Sequence, residues 1–251
     1  MTFLFIWLTV GIAWTTLAEL PVPWRFHFQA RVLRRERPWS AVGRVLLLYP
    51  LLIPLLVFRN ALGWPWGPRG TPGGLALGWL WTAGVFVLVL LAARCPGESV
   101  WDVLGLGRHN LGRAVAIGLV LAAVAFMTGT TLWHAWGRLG ALLTLPALLT
   151  LADVGPWVLL NEEAAFRGLG QGRFIEWLGE WPGIVLAALI FGLLHLPALL
   201  IRYEMPLAWV LRQVTLDVVT GLLFGVIVRR TGNVWATAIP HTVAVWLNLV
   251  W

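Results

Sequence analysis

Lysine is missing from this sequence altogether, cysteine occurs once in 251 residues, and charged side chains make up only 12% of the chain. A soluble domain of this length carries about 25% charged residues, so an ordinary water-soluble fold is excluded. One thiol, Cys95, can close no internal disulfide and build no thiolate metal cage. It is expected to be an inert, buried thiol. No HExxH occurs, so two histidines cannot come from one helical turn as in soluble zinc proteases. There is also no internal repeat and no low-complexity tail.

What the chain does have is apolar length. Hydrophobic residues make up 59% of it, and 18 are tryptophan. The 24 residues between Arg69 and Arg94 carry no charge, nor do the 24 between Arg113 and Arg138. Crossing a hydrocarbon core takes roughly 20 apolar residues in a helix. The fold expected is therefore all-α, a polytopic transmembrane bundle of about eight helices, near 3–19, 44–60, 74–93, 114–136, 141–166, 182–200, 207–228 and 234–251. The first segment lacks a basic lead-in, and the AELPVPW after it is a poor cleavage site, so it reads as an anchor. The second holds Pro50 and Pro54, which a membrane helix tolerates when neighbours satisfy the freed carbonyls.

All 18 basic residues are arginine, giving a net charge of +7. They sit mainly in short connections between apolar segments, where topology and anionic headgroups account for them, and no nucleic-acid partner is expected. With eight spans, 13 arginines fall on one side and five on the other. The larger set predicts the cytoplasmic face, with both termini outside. The basic connection 20–43 would lie on the inner leaflet as an interfacial stretch. The segment 1–140 reads as four anchoring spans and 141–251 as a four-helix core carrying the chemistry, together one membrane domain. The first half is nearly free of ionisable groups within its spans, His134 excepted. The second holds Asp153, Glu162, Glu163, His195, Arg212, Asp217 and His241.

A charged side chain at the middle of a membrane helix costs about 2.5–3.5 kcal/mol on insertion scales, so each such residue invites a functional explanation. In NEEAAFR (161–167), Glu163 and Arg167 are i, i+4 neighbours in the favourable order for an ion pair. Glu162 lies about 100° round an α-helix and would face elsewhere, left free as a candidate general base. His195 follows Phe191 by four, and the pair would stack on one face ahead of Pro197. On the last helix Thr237, His241 and Asn248 share a stripe. One glutamate and two histidines from three helices are the ingredients of a water-activating site. They would serve as a catalytic dyad with an oxyanion partner, or as ligands for a divalent metal such as zinc. Asp217 reads as a structural partner, for Arg212 or for a proline gap. Gly221 and Gly225 offer a face for close helix packing.

EExxxR at 162–167, FxxxH at 191–195 and GLLFGVIVRRTGNVWATAIPH at 221–241 together resemble the CAAX prenyl endopeptidase type II and bacteriocin-processing family of intramembrane proteases, also called the CPBP or abortive-infection family. The resemblance covers about residues 145–251. It implies a bundle with its site in a cavity facing the cytoplasm, in a bacterial cytoplasmic membrane. It implies Glu162 as the base that activates water, His195 as its assistant and His241 as the oxyanion stabiliser, with Glu163 and Arg167 shaping the site. The family carries a metalloprotease label, and a metal-free glutamate mechanism is also argued for it. One position departs: the family's last motif continues to an Asn or Asp four residues after the histidine, and here that residue is Val245, with Asn248 one turn further.

The function expected is an endopeptidase that hydrolyses a peptide bond of a membrane-embedded or lipid-anchored protein or peptide. Val245 motivates a rival reading, a non-catalytic member of the scaffold acting in peptide-toxin immunity or partner binding. A transporter or proton pathway is a third class, disfavoured by the lack of an inverted repeat.

Overall fold

The computed structural model of the protein describes residues 38–61, 70–132, 139–202 and 205–250. The expected first span 3–19, most of the basic connection 20–43 and His134 lie outside the described residues. Within them every element is helical, with no strand. In order come α1 (Pro38–Ala61), α2 (Pro72–Ala93), the short α3 (Val100–Val103), α4 (Leu111–Leu132), the short α5 (Leu139–Leu142) and α6 (Leu145–Trp157). A π-helical segment (Val158–Gly170) then leads into α7 (Gln171–Leu178). There follow α8 (Glu180–Pro197) with a π turn (Ala198–Arg202), α9 (Leu207–Thr231) and α10 (Trp235–Val250).

Three helices are long and apolar enough to cross a membrane, Pro72–Ala93, Glu180–Leu200 and Leu207–Thr231; Ala41–Leu52 and Leu111–Met127 are shorter apolar stretches. Leu80, Leu91, Leu119 and Leu193 stand exposed on these elements, as side chains do when lipid is the surrounding solvent. The second expected span survives its two prolines: α1 runs through Pro50 and Pro54 without a break. The expected segment 141–166 does not end at its arginine. It begins at Leu145 and passes through Pro156 and the π segment into α7, until Gly179, whose φ of 90° closes the rod. Gly179 has no Cβ to oppose that left-handed turn, and α8 folds straight back along α7.

Pro156 sits inside α6 and leaves the carbonyl of Ala152 without its helical donor. The indole of Trp79 on α2 supplies the missing N–H at 3.0 Å. Asn161 Nδ2 donates to Thr82 O at 3.2 Å, a second tie between α2 and the π segment. The glycines of GxxxG do meet a neighbour. A Cβ on Gly221 would lie 3.1 Å from Ala188, and one on Gly225 would lie 2.9 Å from Ile184 and 2.7 Å from Gln171 Oε1. Gln171 in turn donates to Gly225 O at 2.9 Å. Thus α8, α9 and the start of α7 approach at backbone distance. Val45, Val89, Leu104, Val158, Phe166 and Phe191 belong to one buried apolar cluster, so α1 and α2 share a core with the π segment and α8.

The tightest approach is at Gly168, where an added Cβ would sit 2.1 Å from the carbonyl oxygen of Leu104. Leu104 O is backbone and cannot swing aside. Gly168→Ala is therefore expected to destabilise by about 1–3 kcal/mol, the usual range for overpacking. A lower melting temperature in detergent would show this. An unchanged melting curve would mean that the 104–105 loop yields.

Candidate active site

Two local devices place the last helix. Gly232, at φ 72°, ends α9 in the left-handed conformation. Asn233 then spends both ends of its amide. Its Nδ2 donates to Gly107 O (2.8 Å) and His109 O (3.1 Å), and its Oδ1 accepts from the backbone N–H of Trp235 at 3.1 Å. Val234 N donates to Gly105 O at 3.0 Å. The TGNVW stretch is thus a cap and an anchor, and it fixes the register at which Thr237 and His241 enter the bundle.

His241 lies between the two adjacent glutamates. Its Nδ1 is 2.8 Å from Glu163 Oε1 and its Nε2 is 3.5 Å from Glu162 Oε2. Glu163 is fully buried. Its other oxygen accepts from Thr237 Oγ1 at 2.6 Å, and Arg167 Nη1 stands 3.5 Å from its Oε1. A carboxylate ringed by a hydroxyl, an imidazole and a guanidinium has acceptor sites for all of them, so Nδ1–H of His241 is the donor to Glu163. This is where the structure departs from the α-helical reading of NEEAAFR. Glu163 and Arg167 pair as expected, but Glu162 does not face elsewhere. The π segment bonds i to i+5 and is wider than an α-helix, and both glutamates reach the same histidine.

Glu162 is held from its other side by a residue outside the motif: Trp157 Nε1–H donates to Glu162 Oε1 at 2.7 Å. His195 is more open, with 38% of its side chain exposed. Its Nδ1 lies 2.8 Å from the carbonyl oxygen of Phe191, which can only accept. The proton therefore sits on Nδ1, and the Nε2 lone pair is left for chemistry. Asp217 Oδ2 stands 4.0 Å from the same Nδ1, and Gln213 Nε2 donates to Asp217 Oδ1 at 2.9 Å. Arg212, the partner considered from the sequence, instead places its guanidinium 5.0 Å from the ring of Trp209. In an α-helix residues five apart fall on different faces, which separates Arg212 from Asp217.

Phe191 is the hub of the aromatic contacts. Its ring centroid is 4.7 Å from that of His195 and 6.1 Å from that of His241, both edge-on. The guanidinium of Arg167 lies over its face at 3.6 Å. Phe166 meets it edge-on at 5.4 Å and stacks on Tyr49 at 4.8 Å, which brings α1 in behind the site. Asn248 is exposed, and Val245 packs half-buried against the main apolar cluster. Neither offers a polar group to His241 within the described residues.

The structure thus gathers Glu162, Glu163, Arg167, His241 and Phe191, sets His195 against Phe191, and leaves Asn248 apart. Trp157 and the pairing of Asp217 with His195 had no signal in the motifs. Trp157 precedes Glu162 by five, a spacing that meets only on a π-helix. Glu162, His195 and His241 are the donors that a divalent cation would require. Among the described residues, no group of three His, Cys, Asp or Glu side chains stands close enough to hold one. The donor set as arranged does not fit a three-ligand metal site, and the steps below run through side chains and water.

Residues 141–247 match the family model described as Type II CAAX prenyl endopeptidase Rce1-like, so the resemblance carried by the three motifs stands. Together with the helices of spanning length, the match identifies an integral membrane protein similar to CAAX-type intramembrane proteases. No curated protein and no solved structure matches the chain.

Proposed function

We propose, starting from the Rce1-like character of residues 141–247, that this protein is an intramembrane endopeptidase. It hydrolyses a peptide bond in a membrane-embedded or lipid-anchored protein or peptide. One observation carries the reading: within the matched segment, two helices bring Glu162 and Glu163 onto the two nitrogens of His241. Glu163 holds Nδ1–H, which fixes the ring and directs Nε2 toward Glu162. Glu162 takes a proton from water as the water oxygen bonds to the scissile carbonyl carbon. The oxyanion that forms lies beside Nε2 of His241, which donates to it as the second N–H of an imidazolium while Nδ1–H stays on Glu163, in a site with little competing water, where a fixed donor is worth most. The proton held by Glu162 then passes to the leaving nitrogen, with the open Nε2 of His195 assisting, and the C–N bond breaks.

The test is purified protein in vesicles, incubated with a prenylated CAAX peptide and with unmodified membrane peptides, with the products read by mass spectrometry. Cleavage at an internal amide is expected. Peptides that all remain intact would remove the protease reading.

Val245 favours a second reading, a scaffold that binds peptides without turning them over. Valine can neither donate nor accept, and it packs among apolar neighbours. Removing one oxyanion donor from a characterised hydrolase costs roughly 10²–10³ in rate. Val245→Asn is therefore expected to raise turnover by about tenfold or more. Wild type and V245N that both bind the prenylated peptide, yet leave it uncut, would favour the binding scaffold.

A further inference from the structure

Trp157 belongs to none of the motifs, yet among the described residues its indole nitrogen makes the shortest polar contact to Glu162, at 2.7 Å. We infer that Trp157 is a positioning residue that fixes the rotation of the Glu162 carboxylate. The inference rests on the reading of Glu162 as the base and deepens it.

The ring is anchored independently of the carboxylate. Trp157 is 7% exposed and belongs to the apolar cluster shared with Val154, Val158 and Phe191. An indole N–H can only donate, and in an apolar setting it must find an acceptor. On an α-helix, residues five apart lie about 140° from each other and cannot meet across one turn. Here Trp157 is the last residue of α6, and the π segment begins with its neighbour, Val158. The i to i+5 bonding of that segment brings residues five apart onto one face. The widened helix therefore does two things at once: it turns Glu162 toward His241 and it places an N–H against the far oxygen.

The carboxylate then has one oxygen committed and one available. Oε1 accepts from Trp157, and Oε2 faces His241 Nε2 at 3.5 Å. A glutamate side chain in a bundle would otherwise sample several rotamers, few of which present an oxygen to the water. With both oxygens referenced to rings on different helices, Oε2 is held where it can take the proton. Loss of the indole N–H frees the carboxylate to rotate and leaves Oε1 without its donor.

The test separates the N–H from the ring. The amino acid 3-benzothienylalanine at position 157 keeps the two-ring shape and replaces the N–H with sulfur. Against the prenylated peptide, kcat is expected to fall by about tenfold to a hundredfold, the scale of a misplaced reacting group. KM and melting temperature should stay at their wild-type values. In an E162Q background the same replacement should cost nothing further. Full activity of the isostere would overturn the inference, as would a rise in KM and a loss of stability with kcat unchanged.

A second readout needs no activity. With 15N-labelled tryptophan, Trp157→Phe identifies the indole resonance of Trp157 among the 18 tryptophans. A charge-assisted bond places its proton downfield of the others, and Glu162→Ala should return it to the common range. A resonance indifferent to E162A would overturn the inference whatever the assay gives. A protein that cuts nothing but shows the shift would sink the protease reading and keep the contact.

Discussion

Glu162→Gln is expected to lower turnover by about 10²–10⁴-fold, the range that a positioned general base contributes, while the protein folds and melts as before. The substitution removes the proton acceptor and little else. Glutamine has the same length, and its carbonyl oxygen can still accept from Trp157 Nε1. Glu162 is 14% exposed and, among the described residues, pairs with no arginine, and His241 keeps Glu163 as its partner, so loss of the Glu162 charge leaves no buried cation unpaired. Replacement of Glu163 with glutamine should act differently, by weakening the hold on His241 without removing the base. The measurement is single-turnover cleavage of the prenylated peptide beside thermal melting in the same detergent. Wild-type turnover by a folded E162Q protein would take the base role away from this residue.

The second large effect is on stability. Arg167 has only 2% of its side chain exposed, and its terminal nitrogens make no hydrogen bond within the described residues. Its charge is balanced by Glu163 at 3.5 Å and by the face of Phe191 at 3.6 Å. Glu163→Leu removes the counter-ion and also strips Thr237 and His241 of their acceptor. Breaking a buried pair from one side typically costs about 3–5 kcal/mol, because the remaining charge is left uncompensated. The double variant Glu163→Leu/Arg167→Met removes both charges and keeps an apolar stem under Phe191. It is expected to be more stable than E163L alone, a sign that general disruption cannot produce. Denaturant titration of the three variants in one detergent measures the coupling. An E163L protein as stable as wild type, or a double variant less stable than E163L, would show that the pair does not hold this part of the bundle. The double variant should still be inactive, because His241 loses the group that fixes its Nδ1–H.

Several contacts of the candidate site are legible in the sequence. EExxxR and FxxxH named Glu162, Glu163, Arg167, Phe191 and His195, and the contacts between Glu163 and Arg167 and between Phe191 and His195 follow from i, i+4 spacing, which helical geometry preserves. Thr237 was visible on the stripe of His241, although nothing said that it would meet Glu163. The assignment of Glu162 to a separate face failed for an identifiable reason. It assumed an α-helix through NEEAAFR, and the chain there is π-helical from Val158 to Gly170. The two helices differ by one residue in hydrogen-bond spacing, and no pattern of apolar residues in so short a stretch distinguishes them.

The sequence by itself determined the solvent and the chemistry available. Long uncharged runs with arginines between them require a helical membrane bundle, because lipid offers backbone groups no partner outside a helix, and nearly all the ionisable groups within the expected spans fall in the second half. They also restrict proton chemistry to a handful of side chains. Only the tertiary structure decided which of these meet. His241 reaches Glu162 and Glu163 through a helix register set by Gly232 and Asn233. Asp217 turns toward His195 rather than Arg212 because α9 approaches α8 along Gly221 and Gly225. Trp157 meets Glu162 because the helix widens between them. Each of these is a long-range or non-α contact, set by the depth and rotation at which neighbouring helices settle. Local spacing carries no information about that.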